Sequence, residues 1–296
     1  MLLLPGAVAL AAESAPDTHA LLSRIAADTA VGKPLVATVY VALCDNDSQG
    51  IIPVKNPSIC NGDDPERNIY WTGNGIAGYL KSHGWKRVKS NSNGHGINGD
   101  SIIIRQDVWQ KRVFAGQGLR QNGAPRSFNA YVVAKAYRGS RIHDAMKHYF
   151  EAIHFDSAEN IELPDGKDIA AAGQSHIVGY IGHDYLMDAP SGTAAFMDLT
   201  SARHHRTSVL SKGTFALACI SNEYVRPFVS YSNVYILAMN NFLTYPSAWT
   251  VGGIIDGIAA GGSGKTIYRS AATQFSRGQK CGMKWALKAF SFGPQD

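Results

Sequence analysis

Apolar positions along this chain alternate between two rhythms. Short continuous runs rich in β-branched and aromatic residues occur in PLVATVYVALCDND, SIIIRQDVW, FNAYVVAKAY, HIVGYIG, TFALACIS and NVYILAMNNFL, and these predict strands. Between them lie segments with helical spacing. THALLSRIAADTAVG, NIYWTGNGIAGYLKSHGW, RIHDAMKHYFEAI, a stretch around TAAFMDLTSA, SAWTVGGIIDGIAAGG and TIYRSAATQFSRG read as helices, and GMKWALKAF closes the chain. RIHDAMKHYFEAI has its apolar positions at Ile142, Met146, Tyr149, Phe150 and Ile153, one face of a helix. The run beginning at Leu35 lacks polar alternation, which predicts a strand buried on both faces. Strands that alternate with helices predict an α/β, three-layer sandwich with a mostly parallel central sheet and helices on both faces.

In such sheets ligands bind at the carboxyl ends of the strands. There the sequence offers Cys44-Asp45-Asn46, Arg138-Gly139, Gly182-His183-Asp184, Cys219 and Asn240-Asn241. The run SHIVGYIGHDYLMD ends its apolar climb on glycine, imidazole and carboxylate in succession, and TFALACIS ends on a thiol.

Composition narrows the field. The 296 residues are 45% apolar and 17% charged, enough for a sizeable core. A net charge of +5 over that length is no nucleic-acid footprint, and no nucleic-acid partner is expected. The start, MLLLPGAVALAAESAPD, has a short apolar run followed by small-x-small spacings. It reads as a leader over residues 1–15, with export to the periplasm or secretion as its consequence, and 16–296 as one α/β domain. No segment reaches membrane-spanning length. Four cysteines without CxxC spacing argue against a zinc ribbon. Cys44 and Cys60 can pair in an oxidising compartment or stay as buried thiols.

A cysteine nucleophile acts as thiolate, and a nearby imidazole can take its proton and later protonate the leaving group. Neighbouring parallel strands ending at His183 and Cys219 would hold both groups on rigid supports, and the thirty-six residues between them leave room for one crossover. Backbone amides around Gly182 and Asp184 and at Cys219 are candidate oxyanion donors.

The blocks HIVGYIGHD and FALACIS resemble those of the caspase-like cysteine peptidases, the group of caspases, gingipains, legumains and CHAT-type domains. The resemblance implies an α/β sandwich, endopeptidase activity on a peptide or protein substrate, His183 as general acid or base and Cys219 as nucleophile. Asp184 follows the histidine where the family usually has glycine, and the chain has Leu217-Ala218-Cys219-Ile220-Ser221 in place of Gln-Ala-Cys-Arg-Gly. By the same resemblance the loop after the first strand borders the substrate. Asp45, Asn46 and Asp47 there, with Ser221 beyond the cysteine, are the substrate-binding candidates. Two acids would favour Lys or Arg, and the alternative is that CDND caps its own turn. No cofactor and no metal site is expected. Two other readings stay open: a non-catalytic module holding a small molecule or anion on a flavodoxin-like sheet, and unrelated chemistry centred on Asp45, Asp184 and Asp188.

Other motifs carry less. AAGGSGKT has the tail of a phosphate-binding loop, but the preceding segment has helical spacing, so it reads as a turn with Ser263 or Thr266 capping the next helix. Gly73, Gly75 and Gly78 form a GxGxxG with no strand directly before it. His143 and His148 fall on different helix faces. Tyr70, Trp71, Trp85 and Trp109 can line a glycan or ligand surface, or pack in the core.

Overall fold

The computed structural model describes residues 18–49, 56–92, 102–188, 208–229, 234–245 and 247–293. One eight-stranded sheet gathers segments from Leu35 to Ser291. Its strands are β1 (Leu35–Ala42), β2 (Lys86–Ser92), β3 (Ile103–Phe114), β4 (Ser127–Tyr137), β7 (Ile177–Ile181), β8 (Lys212–Leu217), β9 (Val234–Asn240) and β10 (Phe290–Ser291), while β5 (Ala158–Glu162) and β6 (Asp168–Ala172) form a separate hairpin. The order across the sheet is β10-β9-β8-β7-β1-β4-β3-β2. The five strands from β9 to β4 are parallel, and β10, β3 and β2 extend the sheet through antiparallel pairs at its flanks. Numbered among themselves, the parallel strands run 2-1-3-4-5, the flavodoxin-like order, which places its crevice between the first and third strands.

All eight residues of β1 are buried, and alternate ones face opposite layers. Leu35, Ala37, Val39 and Val41 join a core with α1 (Thr18–Ala30), α2 (Ile76–Ser82), α8 (Trp249–Ala259), α9 (Gly264–Gln279) and α10 (Met283–Ala289). Tyr40 and Ala42 join the other core with α4 (Ile142–His154), α5 (Tyr185–Asp188), α6 (Ser221–Tyr224) and α7 (Arg226–Val229). The β5–β6 hairpin covers Val36, Val108, Tyr131 and Val133 on that second face. A short helix, α3 (Gln117–Gln121), completes the set. The three-layer α/β sandwich therefore follows from strands apolar on both sides.

Some elements differ from their sequence signals. The helix expected over NIYWTGNGIAGYLKSHGW is confined to α2. Its first half is a tight turn in which Gly73 has φ +57°, and a Cβ at Gly75 would lie 2.3 Å from the Tyr70 carbonyl carbon. Gly75 and Gly78 are thus packing glycines, and Gly73 serves the turn through its backbone conformation. The strand β2 is hydrophilic and mostly solvent-facing, as suits a sheet edge, and so carries no apolar signal. The GSGKT segment follows helix α8, as its spacing indicated. Ser263 occupies the cap position of α9 without bonding the free amides; its hydroxyl instead faces that of Thr266 at 3.3 Å, so neither side chain caps. The leader and the helix around TAAFMDLTSA lie outside the described residues. Among the described residues, no helix is long and apolar enough to cross a membrane.

Candidate active site

The carboxyl ends of the parallel strands collect Leu43 to Asp45, Arg138 to Gly139, Gly182 to Asp184, Ala218 to Cys219 and Asn241 along one edge of the sheet. Strands β7 and β8 pair from Ile177 with Gly213 to Ile181 with Leu217, a constant offset of thirty-six residues. The Gly182 amide extends the ladder by donating to the Leu217 carbonyl at 3.3 Å. His183 and Cys219 are separated by the same thirty-six residues, so they leave neighbouring strand ends on the same edge.

The imidazole is held firmly. His183 Nε2 bonds Asp188 Oδ2 at 2.5 Å across the single turn of α5, and its carbonyl accepts from the buried Tyr180 hydroxyl at 2.8 Å. The other ring nitrogen, Nδ1, has no hydrogen-bond partner among the described residues. A base oriented by a carboxylate, with its second nitrogen open, is the arrangement general-base chemistry needs. His183 itself is 5% exposed and Asp188 is exposed.

Cys219 sits two residues past the end of β8, half-buried, in a turn. The next residue, Ile220, has φ +51°. A β-branched side chain in the left-handed region costs about 1–2 kcal/mol, so the turn that presents the thiol is strained. Two supports fix it: the Ile220 amide donates to the Phe242 carbonyl at 3.2 Å, and the thiol donates to the Thr244 carbonyl at 3.7 Å. Thr244 in turn receives a 2.5 Å bond from Asn240 Nδ2. The Asn240 amide donates to Ser221 Oγ at 2.9 Å, and that hydroxyl donates to the Ala216 carbonyl at 2.7 Å. The Cys219 amide has no acceptor among the described residues. Burial pushes the Cys219 thiol above its ordinary pKa, the Thr244 bond opposes this, and the charges of Asp184 and Asp188 push it further up. The resting sulfur is therefore protonated at neutral pH.

Asp184 is fully buried. Oδ1 accepts the Leu186 amide at 3.1 Å, while Oδ2 has no partner among the described residues. Burial raises its pKa to about 7, against the pull of the Leu186 and Met187 amides.

The remaining sequence candidates are placed as follows. A Cβ at Gly182 would lie 2.7 Å from the Tyr180 hydroxyl, so close packing accounts for this glycine. Its amide is already used by Leu217, whereas the amides of Asp184 and Cys219 have no acceptor among the described residues and are the open donors. Asp45 accepts the Asp47 amide at 3.1 Å and the Ser48 hydroxyl at 2.5 Å, the turn-capping geometry. Asn46 is half-buried and Asp47 exposed in that same turn. Ser221 is buried, its hydroxyl taken up by the two backbone groups named above. The loop from β1 is anchored by a Cys44–Cys60 disulfide and by buried Asn68, whose side chain bonds both the amide and the carbonyl of Cys44 at 3.1 and 2.8 Å. Cys219 and Cys281 are free thiols.

Comparison of the chain with family models, with curated proteins and with solved structures finds no match. The chemistry of the site accordingly rests on its own residues. Among the described residues, no group of three or more His, Cys, Asp or Glu side chains is arranged to share a metal ion. Sequence reading overlooked Thr244 and the clamp by Asn240, which no motif marks. It named Asp188 without pairing it with His183; the five-residue spacing across a turn was the available signal.

Proposed function

We propose that the protein is a cysteine hydrolase of caspase-like type, acting on a peptide or protein with Cys219 as nucleophile and His183 as general base and acid. The observation that carries this reading is the shared thirty-six-residue offset of the β7–β8 ladder and of the His183–Cys219 pair, with Asp188 orienting the imidazole. In the reaction, the thiol turns from the Thr244 carbonyl and gives its proton to His183 Nδ1. The sulfur bonds to the scissile carbonyl carbon, and the oxyanion takes the open Cys219 amide. The carbon–nitrogen bond then breaks as the imidazolium, stabilised by Asp188, protonates the departing amine. Water, deprotonated by the same imidazole, cleaves the thioester and restores the thiol.

The raised thiol pKa implies that no thiolate waits in the resting site. Proton transfer accompanies substrate binding instead, and free-thiol reactivity should be low at neutral pH and rise in alkali. The test is hydrolysis of a fluorogenic peptide library: Cys219→Ala and His183→Ala should each abolish turnover. Activity of Cys219→Ala equal to the wild type would overturn the proposal.

The same raised pKa favours a second reading, a ligand-binding module at the strand ends with an inert thiol. It predicts no turnover of any library member and a ligand-induced rise in melting temperature. An oxidising compartment, periplasmic or extracellular, belongs to the first proposal, and the Cys44–Cys60 disulfide supports it.

A further inference from the structure

Three of the tryptophans lie around a cleft that the His183–Cys219 chemistry does not use. Trp71, Trp85 and Trp109 line a cavity of about 600 Å³ bounded by α2, β2 and β3, a volume suited to a small molecule. Stacking of a neutral sugar needs an open aromatic face. Here the indoles are only 1%, 6% and 4% exposed, and a cation already rests on each ring. The Arg105 guanidinium lies 5.7 Å from the Trp71 centroid, that of Arg87 5.8 Å from Trp109, and the Lys111 ammonium 5.9 Å from Trp85.

What the cleft presents is positive charge framed by apolar rings. Both guanidiniums are oriented by Asp107, whose carboxylate is fully buried: Arg105 Nε lies 3.1 Å and Arg87 Nη1 3.4 Å from it, and Ser90 Oγ adds a 2.6 Å bond. Arg105 also pairs with Glu66. The Arg87 side chain makes no other hydrogen bond among the described residues and is partly exposed, so most of its donors are open to a ligand. Lys81 lines the same cleft without an ion pair among the described residues. Three cations thus face two carboxylates, one of them sealed beneath the floor.

We propose that this cleft binds a small carboxylate carrying an apolar, planar body, with Arg87 anchoring the anion and the tryptophan edges holding the body. The site is separate from the His183–Cys219 reading and does not depend on it. Charge-assisted bonds from a pre-oriented guanidinium supply the selectivity.

The test is calorimetric titration of the whole chain with phenylacetate, phenylacetamide and acetate, read in parallel by tryptophan fluorescence. Phenylacetate should bind and change the fluorescence. The amide, which lacks the charge, and acetate, which lacks the ring, should each bind at least about tenfold more weakly. Arg87→Gln should weaken phenylacetate by about tenfold or more, and Cys219→Ala should leave it unchanged. Equal affinity for acid and amide, equal affinity for acetate and phenylacetate, undiminished binding in Arg87→Gln, or no binding of phenylacetate at millimolar concentration would each overturn the proposal. The acid–amide comparison uses the unaltered chain, so it stands whether or not Arg87→Gln folds.

Discussion

Where the parallel strands begin, ionic groups are closed off by partners. Arg24 donates to the carbonyls of Gln174, Ser175 and Ser211. His176 accepts the Val36 amide on Nδ1 and bonds Asp28 through Nε2 at 3.2 Å, and Lys212 bonds the Ala152 and Phe155 carbonyls and Asp156. Where the same strands end, groups of the same kinds are left with open valences. Among the described residues Asp184 Oδ2 and Asn240 Oδ1 are buried without partners and His183 Nδ1 is open, and the thiol immediately precedes a strained residue, Ile220. An unmade bond on a buried polar atom costs about 1–3 kcal/mol. The first edge therefore contributes to stability, and the second carries polar groups that do not.

Substitutions at the two edges should separate these roles. The largest effect expected is at the site: Cys219→Ala or His183→Ala removes hydrolysis while the urea midpoint stays near that of the wild type. At the opposite edge Lys212→Ala should cost about 1–3 kcal/mol, because the buried ammonium is lost and with it the donor to the buried Ala152 carbonyl and to half-buried Asp156, and the surviving folded fraction should keep full activity. Activity lost in proportion to stability at both edges would erase the distinction.

Next comes pH. His176 is held below its ordinary pKa, chiefly by burial, so its neutral form stabilises the fold above the ordinary histidine value and that contribution is lost as pH falls through it. Asp184 is raised, so its contribution is present below the ordinary carboxylate range and is lost as pH rises through about 7. Thermal melts across this range should show Asp184→Asn gaining stability relative to the wild type on the alkaline side, and His176→Gln losing less than the wild type on the acid side. Parallel profiles for all three proteins would show that neither group titrates as described. The smallest effect should come from Ile220→Asn, a residue that tolerates the left-handed region, with a gain of up to about 1 kcal/mol in a denaturant titration. No gain would mean that the turn beside the thiol carries no strain.

The sequence carried the frame of the fold because β1, β4, β7 and β9 are apolar on both faces and α4 has a clear apolar stripe. It failed at β2, where an exposed edge needs no apolar residues, and over Asn68 to Gly75, where close backbone approach favours a turn. At the site, polar residues after apolar strands flagged His183 and Cys219 together. The carboxylates at Asp45 could not be assigned by the same logic, since a side chain bonding its own turn and one facing a substrate look alike in sequence. The tie between Asn240, Thr244 and the thiol depends on a long-range register that periodicity does not encode.

The most direct test of the central claim is the rate at which a peptide carrying an electrophilic ketone labels Cys219, followed by mass spectrometry in the wild type and in His183→Ala. If the imidazole serves the thiol, labelling should be specific to Cys219 and slower by about a hundredfold or more without His183. Equal rates in the two proteins would contradict the account.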